Sequence, residues 1–590
     1  MLDTTHDAPP RNRARTRVSL WCLPAWLAAT LLLTWPLAPS FGRFIPTVLP
    51  LPDALLQAFL LHWDLRTLFT HPSRVWDAPI FHPERNTLTY TDHHLAEAVL
   101  VKPVTWLTSN TAVPYNVLIV LTFVASAWTM YRLVRLLGAG RDGAFVASLL
   151  FAFCPYRWCN MGNLNQLHTA FVPLAVFFAL RLVHSGRTRD LVGCALTLVA
   201  TSYFSWYYAF YVATVYAVVA LHQAFVGRVR LRAVISPAVI ATAAASVLLV
   251  LPGVLPYLSE RAHVPGFERT LGMASYWSAD LLDYIRTNVE NRTIGRIPAL
   301  RGDQPYFPGL LAAALAVVAW LELRRRPRSA GSAAAGALAK LRAGALPLGD
   351  ASILAAVGIT GFVLSLGPIL RVAGHRLWIP LPYALLWYVV PGFQSMRASG
   401  RYSLLVVTAV AALAGLGYET LRRRGTGGRA LFPATVAAAL ALAWSVPWPL
   451  VPFPQRDELP PVVTWLEHQP DDPPVLNLPM PATEPDEGMR DVTRQVYAIY
   501  HRKPLVDGAS GFVPLPHRRL RQIMQRFPAP ESLREAGAFG TRLIVVHYGD
   551  WDAAAAARIR AAAAGAPELR PVAAFGDDVV YELKVTGAPS

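Results

Sequence analysis

The residues with most chemistry to offer gather in three stretches of a mostly apolar chain. The first runs from Asp53 through Gln57, His62, Trp63 and Asp64, and on to Trp76, Asn86, Asp92, His93, His94 and Glu97. Asp53, Gln57 and Asp64 are spaced so that a helix places them near one face. A carboxylate at a membrane surface is costly unless it is solvated, paired or used. Asp53 therefore has two readings: a catalytic role, or the N-cap of the amphipathic helix that it opens. His93, His94 and Glu97 have i,i+3 and i,i+4 spacings that could hold a divalent cation, and solvated loop histidines are the plain alternative. Trp63 and Trp76 suit a water–lipid interface.

The second stretch runs from Phe153 to His168 and carries Arg157, Asn163, Gln166 and His168. These amides, guanidinium and imidazole would bind sugar hydroxyls or phosphate oxygens, or else cap helices and anchor them at the interface. In the third stretch, Phe393 to Tyr402, Arg397 and Arg401 are four residues apart. On a shared face they would chelate a phosphate, and the alternative is snorkelling to lipid headgroups.

These stretches need elements to hold them, and the composition says of what kind. Of 590 residues, 54% are hydrophobic and only 15% charged, too few to keep a whole surface in water. The net charge of +17 is not a nucleic-acid footprint. It lies in short clusters between apolar runs: Arg11 to Arg17, Arg132 and Arg135, Arg187 and Arg189, Arg228 to Arg232, Arg324 to Arg328, and Arg422 to Arg429. That is the pattern of cytoplasmic loops. Apolar runs at 18–38, 113–136, 143–158, 165–184, 190–205, 207–226, 233–255, 306–323, 351–370, 402–420 and 431–451 predict about eleven crossings. The pair at 190–226 is also readable as one long broken helix. The run after Arg17 is too long for a signal peptide and reads as a retained first helix.

A basic N-terminus (1–17) inside and an odd number of spans put the C-terminus outside. The predicted architecture is a polytopic α-helical membrane domain over 18–451, with an extracytoplasmic loop at 39–112, followed by a small extracytoplasmic α/β domain over 452–590. Apolar segments near 95–108 and 381–391 read as interfacial helices, and 329–348 as a cytoplasmic loop. In the C-terminal part, 474–479, 541–547 and 578–584 read as strands, with helices at 461–465 and 551–564. The four cysteines, Cys22, Cys154, Cys159 and Cys194, lie outside that part, so it has no disulfide framework.

No nucleotide-binding loop, nucleophile elbow or His-Glu-x-x-His pattern is present, which argues against an ATP-driven pump or a cytosolic nucleotide-sugar enzyme. The chain resembles the GT-C superfamily of membrane glycosyltransferases. More narrowly it resembles a bacterial branch related to the lipopolysaccharide core galacturonosyl and mannosyl transferases. The residues that carry the likeness are Asp53 to Asp64, Asn86 to His94, Phe153 to Gln166, Tyr276 to Tyr284, and Pro391 to Tyr402. The resemblance implies transfer of a sugar from a polyprenyl-phosphate carrier to a cell-envelope glycan, lipid or protein at the extracytoplasmic face of the inner (plasma) membrane. It assigns Asp53 as base, with Asp64 second, and Arg397 and Arg401 to the departing phosphate. The adjacent acidic pair of many members is missing, since Ala54 follows Asp53, so metal dependence is left open. A lipid-linked glycan flippase and a non-catalytic membrane scaffold are the competing readings. Flippases usually place polar groups at mid-membrane, whereas the polar clusters here gather at one surface.

Overall fold

The computed structural model describes residues 19–48, 52–226, 236–267, 269–302, 304–325, 348–390, 392–483 and 488–584. The basic clusters at 11–17 and 228–232, residues 326–328, and the Ala/Gly/Ser-rich segment up to 347 lie outside the described residues.

Each apolar run predicted as a span contains a helix, the form in which a segment satisfies its own backbone amides. The helices begin with α1 (Cys22–Leu33), α2 (Asp53–Thr70), α3 (Leu95–Val101), α4 (Ala112–Leu136), α5 (Arg141–Ala152) and α6 (Pro155–Cys159). Next come α7 (Phe171–Ser185), α8 (Thr188–Phe204), α9 (Trp206–Phe225) and α10 (Pro237–His263). They continue with α11 (Leu310–Arg325), α12 (Leu348–Ser365), α13 (Pro382–Val389), α14 (Ser403–Arg423) and α15 (Leu431–Leu442).

By length and apolarity, five helical segments among the described residues qualify to cross a membrane: Ala112–Leu136, Leu164–Ser185, Trp206–Phe225, Pro237–His263 and Ser399–Arg423. Others of the predicted runs fold as shorter helices because the chain interrupts them. The run 143–158 breaks at Pro155, whose ring cannot continue the helix. The run 351–370 stops at Ser365, before Gly367 in the left-handed region. The pair at 190–226 is two helices, broken where Ser205 is extended at φ −168°, ψ 129°.

α14 packs against α5, α11 and α12 through small residues. A Cβ on Gly415 would lie 2.8 Å from the Gly143 carbonyl oxygen, and one on Gly417 only 1.8 Å from that of Leu315. Backbones this close tolerate glycine alone.

Short strands β1 (Phe44–Pro46), β2 (Ile369–Val372), β3 (His375–Pro380) and β4 (Leu450–Pro452) form two hairpin-sized sheets. β1 pairs antiparallel with β4, Ile45 opposite Val451. The start of the first loop and the chain leaving α15 therefore emerge on one side of the helical body.

Beyond β4 the chain forms α16 (Pro461–Glu467), β5 (Val475–Leu478), α17 (Met489–His501), α18 (Leu515–Met524), α19 (Pro530–Ala538), β6 (Leu543–His547), α20 (Ala553–Ala564), β7 (Leu569–Phe575) and β8 (Asp578–Leu583). The sheet order is β5-β6-β8-β7, with β5 and β6 parallel and the other pairs antiparallel. Sequence patterning predicts β5, β6 and β8 but hides β7. That strand contains Pro571, tolerated because β7 is an edge, and its register slips between Pro571 and Ala573. α17 packs on α2, so this part of the chain buttresses the first loop. Backbone bonds from His82 N–H to the Leu505 carbonyl (2.9 Å) and from Leu505 N–H to the Pro79 carbonyl (3.0 Å) extend the contact.

Gly417→Ala is expected to destabilise the protein by ~1–3 kcal/mol, the usual range for overpacking, and to lower the melting temperature in nanodiscs. Gly565→Ala, which meets only ordinary contacts at 3.6 Å and beyond, is the control expected to leave it unchanged.

Candidate functional site

Asp53 is the first helical residue of α2, and Pro52, not Asp53, occupies the cap position, with no side-chain capping bond. The capping reading is thereby overturned. The half-buried carboxylate turns across to the loop before α7, where its Oδ2 accepts from Asn163 Nδ2 at 3.2 Å.

Asp64, further along the same helix, is fully buried. Its Oδ2 accepts the His94 backbone N–H at 2.7 Å, and its Oδ1 has no hydrogen-bond partner. Around it lies a buried network. His94 Nε2 faces Gln57 Oε1 at 2.9 Å and its Nδ1 faces Glu97 Oε1 at 3.1 Å. The same Glu97 oxygen meets His168 Nε2 at 2.8 Å. The acceptors Gln57 Oε1 and Glu97 Oε1 on either side of His94 favour the protonated ring. Burial would lower the His94 pKa, but Glu97 and Asp64 outweigh it and raise it. Burial would raise Glu97, but His168 and His94 together hold it down at about 2.

Asp92 joins the first loop to the helical body. Its Oδ2 accepts from Ser205 Oγ (2.7 Å) and Asn165 Nδ2 (3.1 Å), and its Oδ1 from the Trp206 backbone N–H (3.2 Å). It therefore neutralises the N-terminus of α9 from outside that helix.

The metal expectation for His93, His94 and Glu97 does not hold as a geometry. The His94–Glu97 spacing brings those two together, but as a hydrogen bond. His93 instead packs among the rings of Trp76, Tyr203, Trp206 and Tyr257 at 5.7–6.4 Å, its two ring nitrogens buried without partners. Among the described residues no three His, Cys, Asp or Glu side chains are grouped to hold an ion. The interfacial expectation for Trp63 and Trp76 also changes: the Trp63 indole N–H donates to the Val75 carbonyl at 2.7 Å, and Trp76 meets His93 edge to face.

In the stretch 153–168, Arg157 is fully buried and its guanidinium is spent on internal acceptors. It donates to Ser126 Oγ (2.6 Å), the Leu167 carbonyl (2.8 Å), Thr122 Oγ1 (2.9 Å) and Thr169 Oγ1, over the ring of Phe123. The geometry makes Arg157 a strut between α4 and this loop rather than a ligand-facing group. Gln166 differs: both its side-chain amide atoms are buried and unpartnered.

Arg397 and Arg401 do not share a helical face. Met396 and Ala398 have extended backbones, ψ 101° and 83°, which removes the i,i+4 register. Arg397 lies over Trp277 at 5.4 Å and Arg401 over Tyr207 at 5.0 Å. Neither has a carboxylate partner among the described residues. The tyrosines Tyr207, Tyr211, Tyr156 and Tyr306 surround the Arg401 charge, and the hydroxyl of Tyr211 is buried without a partner among the described residues. Gly400 is obligatory here, because a Cβ would fall 2.6 Å from Cζ of Tyr306.

One loop spans the two halves of this arrangement: Tyr156 stands at Arg401 and Asn163 at Asp53. Sequence reading passes over Tyr207, Tyr211, Tyr306 and Ser205. The available signal was the density of aromatic residues from Tyr203 to Tyr211 around a lone serine.

Burial, the largest influence, pushes the Asp64 pKa up from 3.8 to about 7. A raised folded pKa means that protonation favours the fold: this stability is complete below the unfolded value and lost as pH rises through about 7. His94, also raised, acts in the same direction. The Asp64-dependent part of the stability is therefore expected to be lost between about pH 4 and pH 7, so the melting temperature of Asp64→Asn should rise relative to that of the parent across this window.

The fold matches that of the arabinofuranosyltransferase AftD from Mycobacteria, with a TM-score of 0.59 and 16% identity over 96% of this chain and 42% of that protein. This chain thus spans less than half of AftD. ArnT from Cupriavidus metallidurans, in a structure bound to undecaprenyl phosphate, gives a TM-score of 0.48 at 12% identity over 95% of this chain and 97% of that one. The archaeal oligosaccharyltransferase AglB from Archaeoglobus fulgidus gives 0.47 at 11% identity, covering 90% and 69%. No curated protein matches the sequence. The family described as a domain of unknown function, DUF6311, matches residues 70–445, and the chain belongs to that family.

Proposed function

We propose that the protein transfers a sugar from a polyprenyl-phosphate carrier to an acceptor hydroxyl at the extracytoplasmic face of the inner membrane, as the lipopolysaccharide-core branch of the GT-C enzymes would. The observation that carries the reading is the loop 153–168, which has a half-buried carboxylate, Asp53, at one end and at the other an arginine, Arg401, without a carboxylate partner among the described residues. A half-buried cation among tyrosines, with no carboxylate to balance it among the described residues, is a poor device for stability alone. It suits an anionic ligand that arrives and leaves.

In the proposed reaction the acceptor oxygen attacks the anomeric carbon while the bond from that carbon to the phosphate oxygen breaks. The acceptor proton goes to Asp53, and the departing oxygen keeps the electron pair. Negative charge grows on the phosphate, where Arg401 and Arg397 stabilise it more in the transition state than in the ground state. Asn163 positions the Asp53 carboxylate. Gln166, with an unpartnered amide, is the candidate contact to sugar hydroxyls, and the buried Glu97–His94–His168 network fixes the loop that carries it. Asp64, fully buried, serves as support rather than as base. The five apolar segments would keep the lipid tail in the membrane while its head meets the acceptor at the surface.

Membranes carrying Asp53→Asn are expected to lose sugar transfer by about 10²–10⁴-fold, and Arg401→Gln by about 10²-fold or more, with melting temperatures kept. Glycolipid and glycan mass spectrometry of the deletion strain against the Asp53→Asn strain reads the same loss in cells. Undiminished transfer in a folded Asp53→Ala protein would remove Asp53 as base, and identical glycan profiles in parent and deletion strains would remove the transferase reading.

A further inference from the structure

α17 is amphipathic, but it is mounted the unusual way round. Val492 and Val496 belong to the same apolar core as Leu55 and Phe59 of α2. Arg490, Arg494, Tyr497 and His501, spaced four, three and four residues apart, form a polar stripe on the helix. Arg494, Tyr497 and His501 of that stripe turn toward the sheet while Arg490 stays exposed at the rim, and a cleft of ≈ 330 Å³ is left between helix and sheet. Such a volume lies in the range of small-molecule sites. A helix that only had to pack on a sheet would present apolar residues there and close the gap.

The sheet side supplies Asn477 of β5 and His547 of β6, where the two parallel strands end, with Asp578 opposite His547 in β8. The crevice beyond the carboxyl ends of parallel strands is a recurrent ligand position. His547 bridges Asp578 (2.7 Å) and Asn477 (3.2 Å). His501 Nδ1 accepts the Lys503 backbone N–H at 3.0 Å, so in the neutral ring Nε2 carries the proton and offers it to the cleft. Arg494 gives one nitrogen to Asp550, while its Nη1 is buried without a hydrogen bond, 4.0 Å from Asp491.

The charge balance selects the ligand. Arg490 and Arg494 are matched by Asp491 and Asp550, and Asp578 adds a further carboxylate, so the cleft offers no surplus positive charge to an anion. What it does offer is a mixture of donors and acceptors over an apolar wall of Val462, Val463 and Val545, beside the ring of Tyr497. Alternating hydroxyls above a C–H face fit that surface. We infer that this cleft binds a neutral sugar unit. That the sugar belongs to the acceptor glycan rests on the transfer proposed above.

The test uses the full chain in nanodiscs and saturation-transfer NMR with methyl glycosides of glucose, galactose, mannose and xylose. Saturation is expected on the ring protons of at least one glycoside, undisturbed by added inorganic phosphate. Val463→Trp, which fills the cleft, and Tyr497→Ala are each expected to weaken the signal at least ten-fold, with Asp53→Asn binding as the parent does. No saturation from any glycoside, a signal kept in both cleft variants, or displacement by phosphate would each overturn the assignment. Because binding is read without a donor, loss of transfer in Asp53→Asn with sugar binding intact separates the fate of this site from that of the transferase reading.

Discussion

The carboxylate of Asp92 accepts three hydrogen bonds from two separate pieces of chain: the side chain of Asn165, and the side chain of Ser205 with the backbone of Trp206 next to it. It is almost out of solvent, so it persists only because those donors replace its water. The interaction fixes three things together. It seats the first loop on the helical body, holds the break between α8 and α9, and anchors the loop whose other residues reach Asp53 and Arg401. The relative placement of base and cation in the proposed mechanism depends on this junction more than on either residue itself.

Around that junction, charge is sorted by burial. Glu97 is shared by two imidazoles and Asp64 is held by a backbone N–H, so both are committed to structure. Asp53 keeps only a single amide contact and partial exposure. The same sorting holds for arginine: Arg157 gives its terminal nitrogens to internal oxygens, while Arg397 and Arg401 lie on aromatic faces with no carboxylate partner among the described residues. Groups that are already satisfied rigidify the site, and groups left unsatisfied are the ones free to do chemistry.

The C-terminal part is tied to this arrangement through α17. One face of that helix completes the core beneath α2, which carries Asp53, and the other lines a cleft. A single element thereby gives rigidity to the first loop and a wall to a second site, and the pairing of β1 with β4 keeps both on the same side of the helical body.

The sequence by itself determined the helical body, the polar first loop and the strands β5, β6 and β8, because apolar period and run length are local properties. It also singled out Asp53, Arg397 and Arg401, since unbalanced charge beside an apolar run is visible without a fold. Tertiary structure alone decided which of these groups were spent. That His93 sits in an aromatic cage while its neighbour His94 joins a carboxylate, that Arg157 is a strut, and that Asp53 meets Asn163 all depend on partners 30 to 110 residues away. Local spacing suggested a shared face for Arg397 and Arg401, and an extended turn at Met396 and Ala398 removed it. The cleft was equally hidden, because the stripe from Arg490 to His501 reads as a solvated helix face until the sheet is seen opposite it. Periodicity names the faces of an element, and only packing settles what each face meets.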